Sequence, residues 1–241
     1  MGMNPILKRT LTGLAVGAAV ILAVLFLPSA ASFPAVGVIV VLAGMEFSVL
    51  YDRKAKMRES RGVALLARLA GYLLGWAVVS CLMALAFVPR LYGDAPCGPF
   101  ALGNVMLLYV VAVVKFSDVG GFAFGLASAK LMKGGNHKLC PTVSPNKSWE
   151  GLFGSVFASC LVSCCFMGAT GFGVAKSLAC GVAAALVGTA GDLVESKFKR
   201  WVGVKDSSAM KVTNGMGGFL DMLDSLLFAP AVLVVIMGLG F

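Results

Sequence analysis

Asp192, Glu195, Ser196 and Lys199 stand at i, i+3, i+4 and i+7 in the stretch Gly191-Asp192-Leu193-Val194-Glu195-Ser196-Lys197-Phe198-Lys199-Arg200. A helix through these residues presents two carboxylates, a hydroxyl and an ammonium on one face. Lys205-Asp206 follows, and then Asn214-Gly215-Met216-Gly217-Gly218-Phe219-Leu220-Asp221-Met222-Leu223-Asp224-Ser225. Asn214, Gly215, Gly217 and Gly218 permit backbone conformations that aim N–H groups at an anion, and the helix start after them is a natural phosphate site. Asp221 and Asp224, at i and i+3 in that helix, suit a hard cation such as Mg2+ completed by waters and phosphate oxygens. The plainer explanations are an intrahelical salt-bridge network for the first stretch and acids that complement a helix dipole for the second. Dipole complementation predicts acids at a helix start. It does not predict glycines before them or an acidic helix close by in sequence, so a site for a cation and phosphates is the better reading.

Two further stretches carry polar groups. In Lys138-Leu139-Cys140-Pro141-Thr142-Val143-Ser144-Pro145-Asn146-Lys147-Ser148-Trp149-Glu150-Gly151, Ser148 is placed to cap a helix with Glu150 in its first turn. Lys147, just before that helix start, would reinforce anion binding there. Upstream, Asp118 lies between apolar runs in Ser117-Asp118-Val119-Gly120-Gly121. An unpaired acid there would be costly, and Lys115 is the natural partner.

The elements that must position these groups are membrane helices. Hydrophobic residues make up 59% of the 241 and charged residues only 13%, with a mean hydropathy of +0.92. Apolar runs approaching the roughly 20 residues that span a bilayer fall near 11–27, 33–51, 63–88, 99–115, 150–167, 172–191 and 217–238. The glycine-rich run 119–132 is short and contains Lys130, and reads as a tilted span, a re-entrant piece or a helix lining a cavity. The expected fold is an all-α polytopic bundle of about seven to nine transmembrane helices. It divides into N-terminal helices over 1–115 and a site-bearing region over 116–241, within one integral domain. Lys8-Arg9 before an apolar run resembles a signal peptide, but the run is long for one and is read as an uncleaved first helix.

Sixteen of the twenty lysines and arginines fall in 1–10, 52–62, 130–148 and 195–215. Basic loops collect on the cytoplasmic side, and all four clusters share that side if 63–132 crosses an even number of times. Both motif regions then face the cytoplasm. The net charge of +9 suits an anionic membrane surface and anionic ligands, and loops this short argue against nucleic acid. Glu46 reads as a boundary residue paired with Arg53 or Lys54, and 92–99 as a turn-rich loop on the outer side. The seven cysteines form no C-x-x-C pair and read as small helix-packing residues, not metal ligands.

At these residues the chain resembles the CDP-diacylglycerol synthases (phosphatidate cytidylyltransferases). Ser196, Lys199-Arg200, Lys205-Asp206, Gly215, Gly217-Gly218, Asp221 and Asp224-Ser225 fill that family's signature, and Ser144, Pro145, Lys147, Ser148, Glu150 and Gly151 fill a second element. Asp118 before a glycine-rich helix and Glu46-Phe47 after two spans are similar too. Met216 stands where the family has His and Met222 where it has Arg, and the segment between Asp206 and Gly217 is longer by about two residues.

The resemblance implies transfer of a cytidylyl group from CTP to phosphatidic acid, giving CDP-diacylglycerol and pyrophosphate at the inner face of a bacterial membrane. One or two Mg2+ ions on Asp192, Asp221 and Asp224 would bridge phosphate oxygens. Lys199, Arg200 and Lys205 would hold the triphosphate or the lipid phosphate, and the 214–218 glycines would donate N–H groups. Asp118, Ser144, Lys147, Glu150 and Ser196 are the further nucleotide and headgroup contacts. A homodimer is compatible with all of this. The rival readings are a CTP-dependent polyprenol or phytol kinase and a cation or phosphate transporter; the latter is disfavoured by the absence of an internal repeat.

Overall fold

The computed structural model describes residues 21–22, 24–26, 28–56, 63–133, 135–204 and 218–239. Nine α-helices appear among these residues, after a helical segment within 21–26. They are α1 (Ser29–Lys56), α2 (Val63–Ser80), α3 (Ala84–Tyr92), α4 (Leu102–Leu131), α5 (Trp149–Cys165), α6 (Met167–Thr170), α7 (Val174–Val202), α8 (Phe219–Leu223) and α9 (Ala229–Gly238). Short 3-10 turns join α2 to α3 (Cys81–Met83) and follow α8 (Asp224–Leu226). Among the described residues, strand structure is limited to two antiparallel ladders, β1 (Pro96–Cys97) with β2 (Phe100–Ala101), and β3 (Lys138–Cys140) with β4 (Ser144–Ser148).

The chain is a polytopic helical bundle. Ala30–Asp52, Arg68–Tyr92, Leu102–Leu131, Val174–Val202 and Leu220–Gly238 are long and apolar enough to cross a membrane, and Trp149–Cys165 is a shorter apolar helix. The expected first span, 11–27, lies largely outside the described residues. One expectation is corrected. The runs 99–115 and 119–132 are not separate pieces but one unbroken helix, α4. At 1.5 Å per residue α4 is about 45 Å long against a hydrocarbon core of about 30 Å, so it is long enough for an end to stand clear of the bilayer. Residues 63–132 thus hold two helices of membrane-crossing length, the even number that the expected grouping of the basic clusters requires.

Glycine explains why α4 does not break at Gly120-Gly121. A Cβ at Gly120 would collide with Ala158 and with the Gly154 carbonyl of α5. Small residues on both helices thus bring the two backbones together, the usual basis of close helix packing in lipid. Helix-to-helix hydrogen bonds accompany the contact. Tyr109 and Ser163 share a hydroxyl bond of 2.8 Å, Ser163 Oγ donates to the Ser177 carbonyl at 2.7 Å, and Ser159 Oγ donates to the Gly181 carbonyl at 2.8 Å. Tyr109, Val110, Val113, Leu82, Ala184 and Leu233 form the centre of the core. All seven cysteines are free thiols, and Cys180 is buried within that packing.

Candidate active site

Four elements meet at a cleft of about 270 Å³ between α4, β4, α5 and α7. Asp118 and Gly121 come from α4, Ser144, Asn146, Lys147 and Ser148 from β4, Gly151 and Ser155 from α5, and Thr189 and Asp192 from α7. Lys147 Nζ meets Asp192 Oδ2 at 2.6 Å, joining the hairpin to α7. Ser148 caps α5 as expected, its Oγ accepting from the Gly151 N–H at 3.0 Å. The start of a 17-residue helix thus opens on the cleft beside a lysine, an arrangement suited to a phosphate. Asn146, Ser155 and Thr189 were not signalled by the sequence, because neutral polar residues carry no spacing signature until the chain folds them onto one wall.

Asp118 does pair with Lys115, at 3.5 Å, but the pair belongs to a larger knot. Lys115 Nζ also donates to Ser225 Oγ at 2.9 Å and to the Met222 carbonyl at 3.0 Å, while Ser225 Oγ donates to Asp118 Oδ2 at 2.8 Å. Asp224 accepts from the Ser225 N–H at 2.7 Å and lies within electrostatic range of Asp192, Lys115 and Asp118. Asp118 in turn feels Asp192 and Lys147. Gly191 makes this proximity feasible, since a Cβ there would run into the Asp224 carbonyl. Asp192, the next residue along α7, is thereby brought close to the turn that carries Asp224.

A second ionic group lies further along α7. Lys199 Nζ is held between Glu195 Oε2 at 2.6 Å and Asp221 Oδ1 at 2.7 Å. The other oxygen of Asp221 accepts from the Gly218 N–H at 3.1 Å, closing the start of α8. The expected intrahelical pair on α7 therefore exists between Glu195 and Lys199, while Asp192 turns to Lys147. Glu46, whose expected pairing with Arg53 or Lys54 rests on side chains outside those described, is buried by the protein itself. It is 1% exposed, and its Oε2 accepts from the Leu220 N–H at 2.8 Å. Packing of α1 against α8 and α7 buries it, with Phe47 against Phe198 and Tyr51 against Trp201.

The structure thus gathers Asp118, Ser144, Lys147 and Asp192 around one cleft with Asp224 close by, and joins Asp221 to Lys199 instead. Ser196 is half-buried on α7, and Arg200 is exposed in its last turn. Glu150 turns to the hairpin, its Oε1 meeting His137 Nδ1 at 2.7 Å. Gly218 begins α8; Lys205, Asn214, Gly215 and Gly217 lie outside the described residues. Among the described residues no three acidic, histidine or cysteine side chains enclose a metal by themselves. The acids do fit a cation that takes its remaining ligands from water and phosphate, the usual Mg2+ arrangement. Asp192 Oδ1 is buried and has no hydrogen-bond partner among the described residues. Moreover, Asp118, Asp192 and Asp224 outnumber the neighbouring Lys115 and Lys147.

Fold and site together define a multi-spanning helical membrane protein with a cleft where acids and lysines meet. The chain belongs to the cytidylyltransferase family, whose model matches residues 72–239. It is similar to the phosphatidate cytidylyltransferase of Staphylococcus aureus, 39% identical over 133 residues that cover 54% of this chain and 48% of that one. It is similar also to that of Staphylococcus saprophyticus, 36% identical over 163 residues covering 65% and 58%. A third relative, from Staphylococcus haemolyticus, is 38% identical over 133 residues covering 54% and 48%. The chain thus spans about half the length of most of these curated relatives.

Proposed function

We propose that the chain transfers a cytidylyl group from CTP to phosphatidic acid, releasing pyrophosphate, with the cleft facing the cytoplasm of a bacterial inner membrane. The observation that carries this reading is the meeting of Asp118, Lys147 and Asp192 in one cleft, at the start of α5, within a family member whose relatives bear that activity in their names. A phosphate oxygen of the lipid attacks the α-phosphorus of CTP, the bond from that phosphorus to the β-phosphate bridging oxygen breaks, and pyrophosphate leaves. A phosphate monoester has a second pKa of about 6 and is mostly dianionic at neutral pH. The nucleophile therefore needs no strong base, which accommodates methionine at 216.

What remains is alignment and charge neutralisation. Asp192 and Asp224 would hold Mg2+, with Asp118 and its lysine shaping the field around them. Bound Mg2+ supplies neutralisation of the phosphate oxygens and a template for in-line displacement. Lys147 would bind phosphate oxygens at the start of α5, where the helix dipole adds to its charge. Asp221 holds Lys199 further along α7, and Arg200, exposed in the last turn, would meet incoming anions. The acyl chains stay in the bilayer beside the cleft.

The test uses purified protein reconstituted with phosphatidic acid and CTP labelled separately at the α and γ phosphates. The expected result is α label in the lipid and γ label in pyrophosphate, both dependent on Mg2+. Label from the γ phosphate in a lipid alcohol, with CDP released, would make the chain a kinase. Ion or phosphate flux without CTP turnover would make it a transporter.

A further inference from the structure

We propose that Glu46 is a positioning residue of the catalytic centre: α1, outside the segment that the family model matches, sets where Asp224 sits. The proposal rests on the cytidylyltransferase reading for what Asp224 does, but the contact itself stands apart from it. Glu46 reaches across 174 positions of sequence to accept the Leu220 N–H at 2.8 Å. The N–H groups of a helix's first turn have no partner within the helix, and the carboxylate meets one of them.

The helix it grips is only five residues long, Phe219–Leu223, and runs directly into the turn Asp224–Leu226. A helix so short has little stability of its own. Its orientation depends on what holds its ends. At the start it is held by Glu46 and by the Asp221 carboxylate, which accepts the Gly218 N–H and pairs with Lys199. At the far end Lys115 takes the Met222 carbonyl and Ser225 Oγ. Asp224 lies between these two anchor sets.

Glu46 is itself fixed. It is buried, and α1 is locked around it by Phe47 against Phe198, with ring centroids 5.0 Å apart, and by Trp76 Nε1 donating to Ser48 Oγ at 3.2 Å. A Cβ at Gly75 would collide with the Phe47 ring, so α2 clamps α1 from the other side. Nothing in this chain of contacts touches the cleft. Its effect on turnover must travel through the position of α8.

The experiment compares Glu46→Ala, Glu46→Gln and Glu46→Asp in the full-length protein, reading backbone hydrogen exchange without ligands alongside the kinetics of CTP turnover. Gln keeps the acceptor oxygen; Asp keeps the charge but is one methylene too short. Loss of a hydrogen bond to a charged acceptor corresponds to roughly a 10- to 100-fold change. We expect exchange in 218–226 to accelerate by that order in the Ala and Asp variants while α4 and α7 keep their protection. Along with it, kcat should fall about 10- to 100-fold with KM for CTP within about twofold. The Gln variant should restore both. Unchanged exchange and kcat in the Ala and Asp variants would overturn the proposal. So would loss of protection throughout α4 and α7, which would mark Glu46 as a general stability residue. A Gln variant as damaged as the Ala variant would overturn it too. If no variant or wild-type protein turns over CTP, the exchange data still decide whether Glu46 holds α8, and only the enzymatic reading fails.

Discussion

Replacing Gly191 by alanine tests how tightly the Asp224 turn must sit against α7. The added methyl would overlap the Asp224 carbonyl, which is backbone and has no rotamer to escape into. Restoring an ordinary contact requires the turn to retreat by roughly 1 Å. A misplacement of about 1 Å at a catalytic group can cost about 100-fold in rate, equal to about 2.7 kcal/mol. Overpacking adds about 1–3 kcal/mol to the cost in stability, against about 1 kcal/mol regained from helix propensity. Gly188, one turn earlier, supplies the control. A Cβ there would lie 3.5 Å from the Ser225 carbonyl, in normal contact. Gly188→Ala should therefore keep near-normal turnover and be neutral or slightly more stable, whereas Gly191→Ala should lose about 100-fold in kcat. The assay is steady-state CTP turnover at saturating Mg2+, with thermal unfolding of both variants in the same detergent. Equal activity in the two variants would refute the idea that close packing at Gly191 sets the position of Asp224.

Asp192→Asn should lower kcat by at least about 100-fold and raise the Mg2+ concentration needed for half-activity; an unaltered Mg2+ titration would remove Asp192 from the metal assignment. Lys147→Met should reduce kcat/KM for CTP by about 100-fold, with Lys147→Arg intermediate because a guanidinium keeps the charge but not the compact geometry. The kinetics of the two variants side by side check this. Turnover should fall about tenfold per pH unit below about pH 6 as the lipid phosphate monoester gains its second proton. A flat profile down to pH 5 at constant Mg2+ would mean that the monoanion reacts equally well.

The helical membrane fold was legible because composition alone demands it, and the Ser148 cap was legible because capping is a local event. The α4 helix was not. Gly120-Gly121, an acid and a lysine interrupt the apolar run, and only the facing glycine of α5 shows that the interruption is a packing surface. Spacing on α7 correctly put Asp192, Glu195 and Lys199 on one helical face. It could not say that successive turns of that face point to different partners, Lys147 on the hairpin and Asp221 on α8. Partners so far apart in sequence leave no periodic trace. Glu46 is the clearest case, for nothing near position 46 hints that its acceptor is needed at Leu220.

The same geometry explains how so many charges are tolerated on helices this apolar. Each acid of the cleft has a specific job beside its lysine: Asp118 accepts from Ser225, Asp224 accepts from a backbone N–H, and Asp192 meets Lys147 while its other, buried oxygen has no hydrogen-bond partner among the described residues. A buried oxygen without a partner is costly in a low-dielectric site. Burying it beside two other carboxylates raises that cost again, unless a cation is normally present to offset it. The excess of carboxylates over ammonium groups around the cleft is therefore what a protein would retain if ligand binding completes the charge balance. It also predicts an order of events: Mg2+ and the triphosphate should bind together, since either alone leaves the cleft with unbalanced charge.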